Sequence, residues 1–271
     1  MRVLLGQLCP APGDVAANVR TIVAALAEHP EADLAVFPEL FLGGYDVDRA
    51  AELATAADGP VLADLRAAAR EAGTALVVGF AERLGGGGAG GVANAVACID
   101  ADGRLAAPAY RKAQLFGAGE HDAFEAGDTL RVVALAGRRV APLICFDMEF
   151  PEPARAVARA GADLLVTVAA NMDPYGPDHA LAARARALDN RLPHVYVNRC
   201  GDEAGMTFAG GSAVIGSDGS VQHQLDRGPR LACVDLVEPA ATAADADYLQ
   251  HLRLDLVVES EQPIPTHGGT A

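Results

Sequence analysis

Three residues in this chain have the types and surroundings for acyl transfer. Cys145 follows the apolar run Val140-Ala-Pro-Leu-Ile144 and precedes a short turn and a helix that Pro151-Glu152-Pro153 introduces, proline being favoured at helix starts. A strand–turn–helix junction presents a side chain at a sheet edge, where free N–H groups and positive charge favour the nucleophilic thiolate. Glu39, in Val36-Phe-Pro-Glu-Leu40, ends another strand among apolar neighbours. A carboxylate so placed either caps a loop or has its pKa raised enough to act as a base near neutral pH. Lys112, in Tyr110-Arg-Lys-Ala-Gln-Leu-Phe116, follows a third strand and is the sole lysine beside 20 arginines. Surface charge in such a chain does not require lysine, whereas a compact, rotatable ammonium suits a developing oxyanion. Taken singly, each residue has a plainer account: a buried structural cysteine, a loop cap, a solvated charge. Together they form a nucleophile, a base and an oxyanion partner, each at a strand end.

The elements that must position them alternate between strand and helix, which predicts an α/β architecture. Strands are expected at 2–8, 33–37, 74–80, 92–100, 104–110, 130–135, 138–144, 163–169, 194–198, 209–215, 220–225 and 231–236. Helices are expected at 15–28, with Asp14 as N-cap, at 60–72, which Gly73 terminates, at 152–160 and at 178–190. Asp102-Gly103 and Asp218-Gly219 mark hairpin turns. So many strands exceed one doubly wound sheet, so two sheets with helices outside both is the better arrangement. The Gly-rich stretch 85–91 contains Gly85-x-Gly87-x-x-Gly90, but Val92–Ile99 alternates like a strand and opens no helix, so the stretch reads as a hairpin tip and not a dinucleotide site. The last residues, rich in Pro, Gly and Thr, read as a loose tail.

Composition excludes several classes. With 271 residues, 51% of them apolar, the chain can bury a sizeable core and is not intrinsically disordered. A net charge of -15 and the absence of Trp argue against nucleic acid as a partner. The apolar runs are too short for a membrane span, and the N-terminus reads as a first strand and not a signal peptide, so a cytoplasmic location is expected. Cys9, Cys98, Cys145, Cys200 and Cys233 are odd in number and scattered, which supports neither a disulfide framework nor a zinc site. Apart from Cys145 they read as core or near-core residues. Ser212, in Gly210-Gly-Ser-Ala213, lacks the second flanking Gly of a serine nucleophile elbow, and His121 reads as a surface residue.

From about residue 2 to residue 255 the chain resembles the nitrilase superfamily of carbon–nitrogen hydrolases. The resemblance rests on Phe37-Pro-Glu-Leu-Phe41, Tyr110-Arg-Lys112 with Leu115-Phe116, Gly119-Glu120 with Phe124, Ile144-Cys-Phe-Asp-Met-Glu-Phe-Pro-Glu152, Asn198-Arg199 and Phe208-Ala-Gly-Gly-Ser212, in that order. It implies a four-layer α-β-β-α sandwich, with residues 1–258 forming the hydrolase domain and 259–271 the tail. It also implies that Glu39 is the general base, Lys112 the oxyanion-stabilising cation, Cys145 the nucleophile, and Glu120 a second glutamate orienting Lys112 and the substrate. The backbone N–H of Phe146 would join Lys112 at the oxyanion, and neither metal nor organic cofactor is called for. Pairing of family members through helices flanking the active-site face leads to the expectation of a homodimer or a larger even oligomer.

Substrate features are finer. Nitrilases often carry Trp directly after the nucleophile; here that position is Phe146, which favours an amidase. The segments around Cys145, Asn171, Arg184 and Asn198 look most like bacterial amidases of the 5-aminopentanamidase type. Relatives acting on dicarboxylic monoamides tend to have Arg where this chain has Glu149. An acid there suits a cationic or neutral amide, so Glu149, with Phe146 and Asn171, is expected to line the substrate site. Glu149 has an equally good alternative, as part of the catalytic electrostatics or as a salt bridge to a neighbouring helix. Asp147 is expected to order the turn by accepting from backbone N–H groups. The expected substrate is a small linear amide with an ω-amino or ω-guanidino end. Neutral aliphatic or amino-acid amides, N-carbamoyl amines and nitriles stand as enzyme alternatives, and a catalytically silent binding protein as a non-enzyme one. Ala113-Gln114 and Ala126 depart from common family residues and bear on substrate detail, not on reaction class.

Overall fold

Residues two apart along a strand share a face, and here both faces are apolar. In β1 (Arg2–Gln7), Val3 and Leu5 face one way and Leu4 the other; β2 (Leu34–Phe37) divides in the same manner into Val36 and Phe37. Together with β3 (Ala75–Arg83), β4 (Val92–Ile99) and β5 (Tyr110–Arg111) they form a first sheet. The second sheet contains β6 (Val133–Leu135), β7 (Arg138–Ile144), β8 (Leu164–Ala169) and β9 (His194–Asn198). A separate hairpin of β10 (Cys200–Glu203) and β11 (Met206–Ala209) follows, then β12 (Ala213–Ile215) and β13 (Val221–Gln224) complete the second sheet. Finally β14 (Arg230–Asp235) returns to the first, giving the orders β14-β1-β2-β3-β4-β5 and β13-β12-β9-β8-β7-β6. The centre of each sheet, β1-β2-β3 and β7-β8-β9, is parallel. The computed structural model describes residues 1–85, 90–238 and 248–257.

The inward residues, among them Val3, Val36, Val77, Val96, Val140, Leu164, Val166, Val195 and Val197, form one core between the sheets. The outward residues of the first sheet pack on α1 (Val15–Glu28) and α3 (Pro60–Ala72), between which the short α2 (Ala50–Leu53) intervenes. Those of the second pack on α5 (Pro151–Arg159) and α6 (Gly176–Asn190), with α4 (Gly117–Ala123) lying between the two halves of the sequence. The result is the expected α-β-β-α sandwich. Asp14 caps α1 by accepting from Ala17 N at 2.9 Å. Gly73 ends α3 at φ 67°, a left-handed conformation that glycine adopts at no steric cost.

Three expected strands are cut: 130–135 pairs only over Val133–Leu135, and two others have a visible cause. In place of 104–110 only Tyr110–Arg111 pairs, with an isolated bridge at Leu105; Pro108 intervenes and has no N–H to give to a ladder. The expected strand 209–215 splits into β11 and β12, because Gly210 and Gly211 both take positive φ, 60° and 73°, and send the chain from the hairpin to the second sheet.

The chain forms two compact units, residues 1–240 and 241–271. The described part of the second holds a 3₁₀ turn at Tyr248–His251 and an Arg253–Asp255 ion pair of 2.7 Å. The expected tail, 259–271, lies outside the described residues, as do 86–89 of the Gly-rich tip. Among the described residues no helix is long and apolar enough to cross a membrane, and no group of three or more His, Cys, Asp or Glu is placed to hold a metal ion.

Candidate active site

The parallel strands of each sheet end at a common edge, and the site is assembled there from both sheets. Glu39 follows β2 through Pro38, in a turn where Leu40 takes φ 49°. That turn lies directly on Gly79 of β3: a Cβ at Gly79 would come within 2.4 Å of the Pro38 carbonyl oxygen and 2.6 Å of the Glu39 Cα. The Glu39 carboxylate is fully buried. Its Oε1 accepts from Lys112 Nζ and from Asn94 Nδ2, both at 2.7 Å, and its Oε2 accepts from the Ala170 backbone N–H at 2.8 Å. Lys112, equally buried, follows β5 and donates also to Glu120 Oε1 at 2.8 Å. Glu120 reaches in from α4; its Oε1 takes a second bond from the Tyr45 hydroxyl at 2.6 Å, and its Oε2 accepts from Phe116 N at 2.8 Å. Tyr45 is steadied edge-on by Phe208, over which the Arg199 guanidinium lies at 3.9 Å.

Cys145 begins a 3₁₀ turn at the end of β7 with φ 46°, the left-handed region that a residue with a Cβ enters only under strain. Asp147 holds that turn. Its Oδ2 accepts from Ile144 N at 3.0 Å and from the Tyr110 hydroxyl at 2.7 Å, while Oδ1 accepts from Ala113 N at 3.1 Å and Gln114 N at 2.8 Å. The expected backbone bonds of Asp147 are therefore present, and they do more than order their own turn: they bind the Lys112 segment to the Cys145 segment.

Electrostatics divides the roles. Burial, and then the Glu39 charge, raise the Cys145 thiol well above its ordinary value, against the pull of the Lys112 ammonium and the Ala170 N–H. The resting thiol is therefore protonated at neutral pH. Burial by itself would lower the Lys112 pKa, but Glu39 and Glu120 outweigh it and hold the group above its ordinary value. Lys112 is thus a fixed positive charge and not a proton donor. Passing the thiol proton to Glu39 would leave the total charge of the cluster unchanged, so the transfer exchanges one buried anion for another and creates no new charge.

Of the remaining expected residues, Phe146 adjoins the sulfur and packs edge-to-face on Phe116 at 5.4 Å and on Phe150 at 5.0 Å; Phe116 in turn meets Tyr175 at 6.3 Å. Asn171 is buried beside Ala170, its backbone held on both sides by the Asn198 amide, and its side-chain Oδ1 has no partner among the described residues. Glu149 is bonded to a neighbouring helix: Oε1 lies 2.9 Å from Nε2 of His179 on α6, whose Nδ1 meets the Tyr196 hydroxyl at 3.0 Å. Ser212 exchanges hydrogen bonds with the Asn198 backbone and is buried, and His121 is exposed. Cys98 and Cys200 are buried and Cys233 partly so, whereas Cys9 is exposed, unlike the core placement expected for it. Asn94 and Tyr45 belong to the site although no motif announced them. The signal for Asn94 is a lone amide inside the apolar run Val92-Ala-Asn-Ala-Val96, where a buried polar side chain needs a partner.

Comparison with known proteins identifies relatives of this chain. The sequence profile of the family described as carbon–nitrogen hydrolase matches residues 2–244. An (R)-stereoselective amidase from a Pseudomonas species is 37% identical over 267 residues, covering 97% of this chain and 95% of that one. A "hydrolase in pqqF 5'region" of Pseudomonas protegens is 42% identical over 223 residues, 81% of this chain and 77% of that one. Among solved structures, a glutamate-to-glutamine mutant of the amidase from Nesterenkonia sp. AN1, with the acetamide moiety of fluoroacetamide added covalently at its active-site cysteine, superposes with a TM-score of 0.81 at 34% identity, covering 93% of this chain and 94% of that one.

Proposed function

The chain belongs to the carbon–nitrogen hydrolase family, and from that premise we propose that it hydrolyses a small linear amide to a carboxylate and ammonia through a thioester on Cys145. At the coarser level it is an amidase of the nitrilase superfamily. The observation that carries the reading is the Glu39–Lys112–Glu120 cluster, closed by bonds of 2.7 and 2.8 Å beside the Cys145 thiol. As the Cys145 sulfur attacks the amide carbon, Glu39 takes the thiol proton. An ammonium has three N–H bonds; two point at Glu39 and Glu120, and the third, with the Phe146 backbone N–H, meets the oxyanion. Protonated Glu39 then hands its proton to the departing ammonia, and later deprotonates the water that cleaves the thioester.

For the substrate we propose an ω-amino or ω-guanidino amide such as 5-aminopentanamide. Support comes from the acid at Glu149, which keeps one carboxylate oxygen beyond its bond to His179, and from a net charge of -15, which draws cations toward the protein. The same Glu149–His179 bond favours a second reading, a neutral aliphatic amide, because it gives Glu149 a structural task; the aromatic row from Phe150 to Tyr175 is compatible with an uncharged chain. The protein is further proposed to work as a homodimer, in keeping with the exposed Leu181 and Leu188 on α6.

Ammonia release from a panel of amides with cationic or neutral far ends tests both levels. Wild-type protein should turn over members of the panel and Cys145→Ala none; no release by the wild type removes the amidase reading. Glu149→Gln should lower kcat/KM for cationic amides by roughly tenfold, the scale of one partly exposed charge pair, and leave neutral ones unchanged. Equal losses on both sets remove the cationic reading.

A further inference from the structure

Away from the site, two sulfurs meet where the sheets approach each other. Cys9, just past β1, places its Sγ 3.2 Å from the Sγ of Cys200, the first residue of β10, across 191 positions of sequence. The seat for this contact is shaped by its neighbours. Gly201 holds φ 83°, and a Cβ there would stand 2.5 Å from the Cys9 sulfur, so the residue after Cys200 must lack a side chain for Cys9 to lie where it does. The Cys200 N–H is directed at the Leu8 carbonyl at 3.4 Å, which fixes one backbone against the other. Cys9 is exposed and Cys200 buried, and burial, with the adjoining Cys9, pushes the Cys200 thiol up to about 12. One sulfur is open to a reagent in solvent while the other waits protonated behind it.

We propose that Cys9 and Cys200 are a dithiol–disulfide couple, closed by a hydroperoxide and reopened by a dithiol reductant. The Cys9 sulfur attacks the outer peroxide oxygen and the O–O bond breaks, leaving Cys9 sulfenic acid and one molecule of water or alcohol. The Cys200 sulfur then attacks the Cys9 sulfur; the S–S bond forms, the S–O bond breaks, and hydroxide leaves with the Cys200 proton as water. The thiols give up two electrons and the peroxide accepts them. A disulfide has its sulfurs about 2.05 Å apart, so the pair must close by roughly 1.1 Å, a movement within reach of side-chain rotation and slight loop adjustment. The link would join the end of β1, in the first sheet, to β10, the hairpin strand that follows β9 of the second. Closing so long a loop restricts the unfolded chain strongly. This inference is independent of the amidase reading.

The test uses the full chain carrying Cys145→Ser, so that the site cysteine does not consume oxidant. Hydrogen peroxide, followed by thiol alkylation under denaturing conditions and peptide mass analysis, should give a linked Cys9–Cys200 peptide and remove two of the four remaining thiols. The melting temperature should rise by on the order of 5–10 °C, and dithiothreitol should reverse both changes. Cys9→Ser, an exposed substitution that spares the fold, should abolish the link and the rise. The proposal is overturned if no linked peptide forms, if Cys9 proceeds to sulfinic acid with Cys200 still alkylatable, or if the same rise occurs in Cys9→Ser.

Discussion

An ammonium can turn its three N–H bonds toward separate acceptors, whereas a guanidinium presents a rigid planar fork. In the closed space at Lys112 the acceptors belong to Glu39 and Glu120, two side chains from different elements. Lys112→Arg preserves the net charge of -15 yet cannot keep both bonds and still face an oxyanion. Amide hydrolysis by that variant is expected to fall by at least about 100-fold in kcat, with the folded spectrum retained; near-normal turnover would show that only the charge matters. The residues of this cluster are unequally legible in the sequence. Glu39, Lys112 and Cys145 stand out because base, cation and nucleophile demand particular types, each at a strand end. Tyr45 and Asn94 do not, since a tyrosine or an asparagine fits many environments, and only the tertiary fold reveals that each spends its donor on a site carboxylate.

At the level of elements, the geometry of the candidate site depends on how the turn after β7 is fastened to the segment after β5. Asp147 accepts four hydrogen bonds from those two segments while buried. Asp147→Ala would leave three backbone N–H groups and a tyrosine hydroxyl without that acceptor, at a cost of about 2–4 kcal/mol. Urea denaturation should show the loss, and kcat should fall more than KM rises because the Cys145 turn and Lys112 lose their common anchor. A variant with wild-type stability would mean that water replaces the carboxylate. Most elements follow from periodicity: the helices 15–28 and 60–72 have the expected bounds, with Asp14 at the start of one and Gly73 at the end of the other. The short pieces escape such reading. A seven-residue helix such as α4, which carries Glu120, has too few turns to show a period, and β10–β11 is a two-stranded annex of four-residue strands whose burial does not alternate regularly.

At the scale of the whole molecule, a few groups buried in their neutral forms set a window of pH. Burial holds the Tyr45 and Tyr110 hydroxyls above their ordinary values and the Cys98 thiol at about 12. The unfolded chain releases these protons from about pH 8.5 to 10, so their contribution is complete below that range and is lost as pH rises through it and beyond. His194 works in the opposite direction. Buried, with Nδ1 donating to the Ala183 carbonyl and Nε2 accepting from Thr167, it is held down to about 4. Its contribution is complete above about pH 6.5 and declines as pH falls toward 4. Melting temperature should therefore plateau near pH 7–8 and fall on both sides; a value still climbing at pH 10 would contradict the alkaline limb, and His194→Gln should flatten the acid one. The layered plan itself is legible, because so many expected strands exceed one doubly wound sheet and the family resemblance implies the four layers. One consequence concerns the chain during its synthesis. Glu39 and Lys112 follow strands of the first sheet and Cys145 a strand of the second, so the ribosome delivers the proposed base and cation well before the proposed nucleophile. On the proposed mechanism the thiol has no base beside it until the two sheets close on each other, and a nascent chain would be chemically silent toward amides until then.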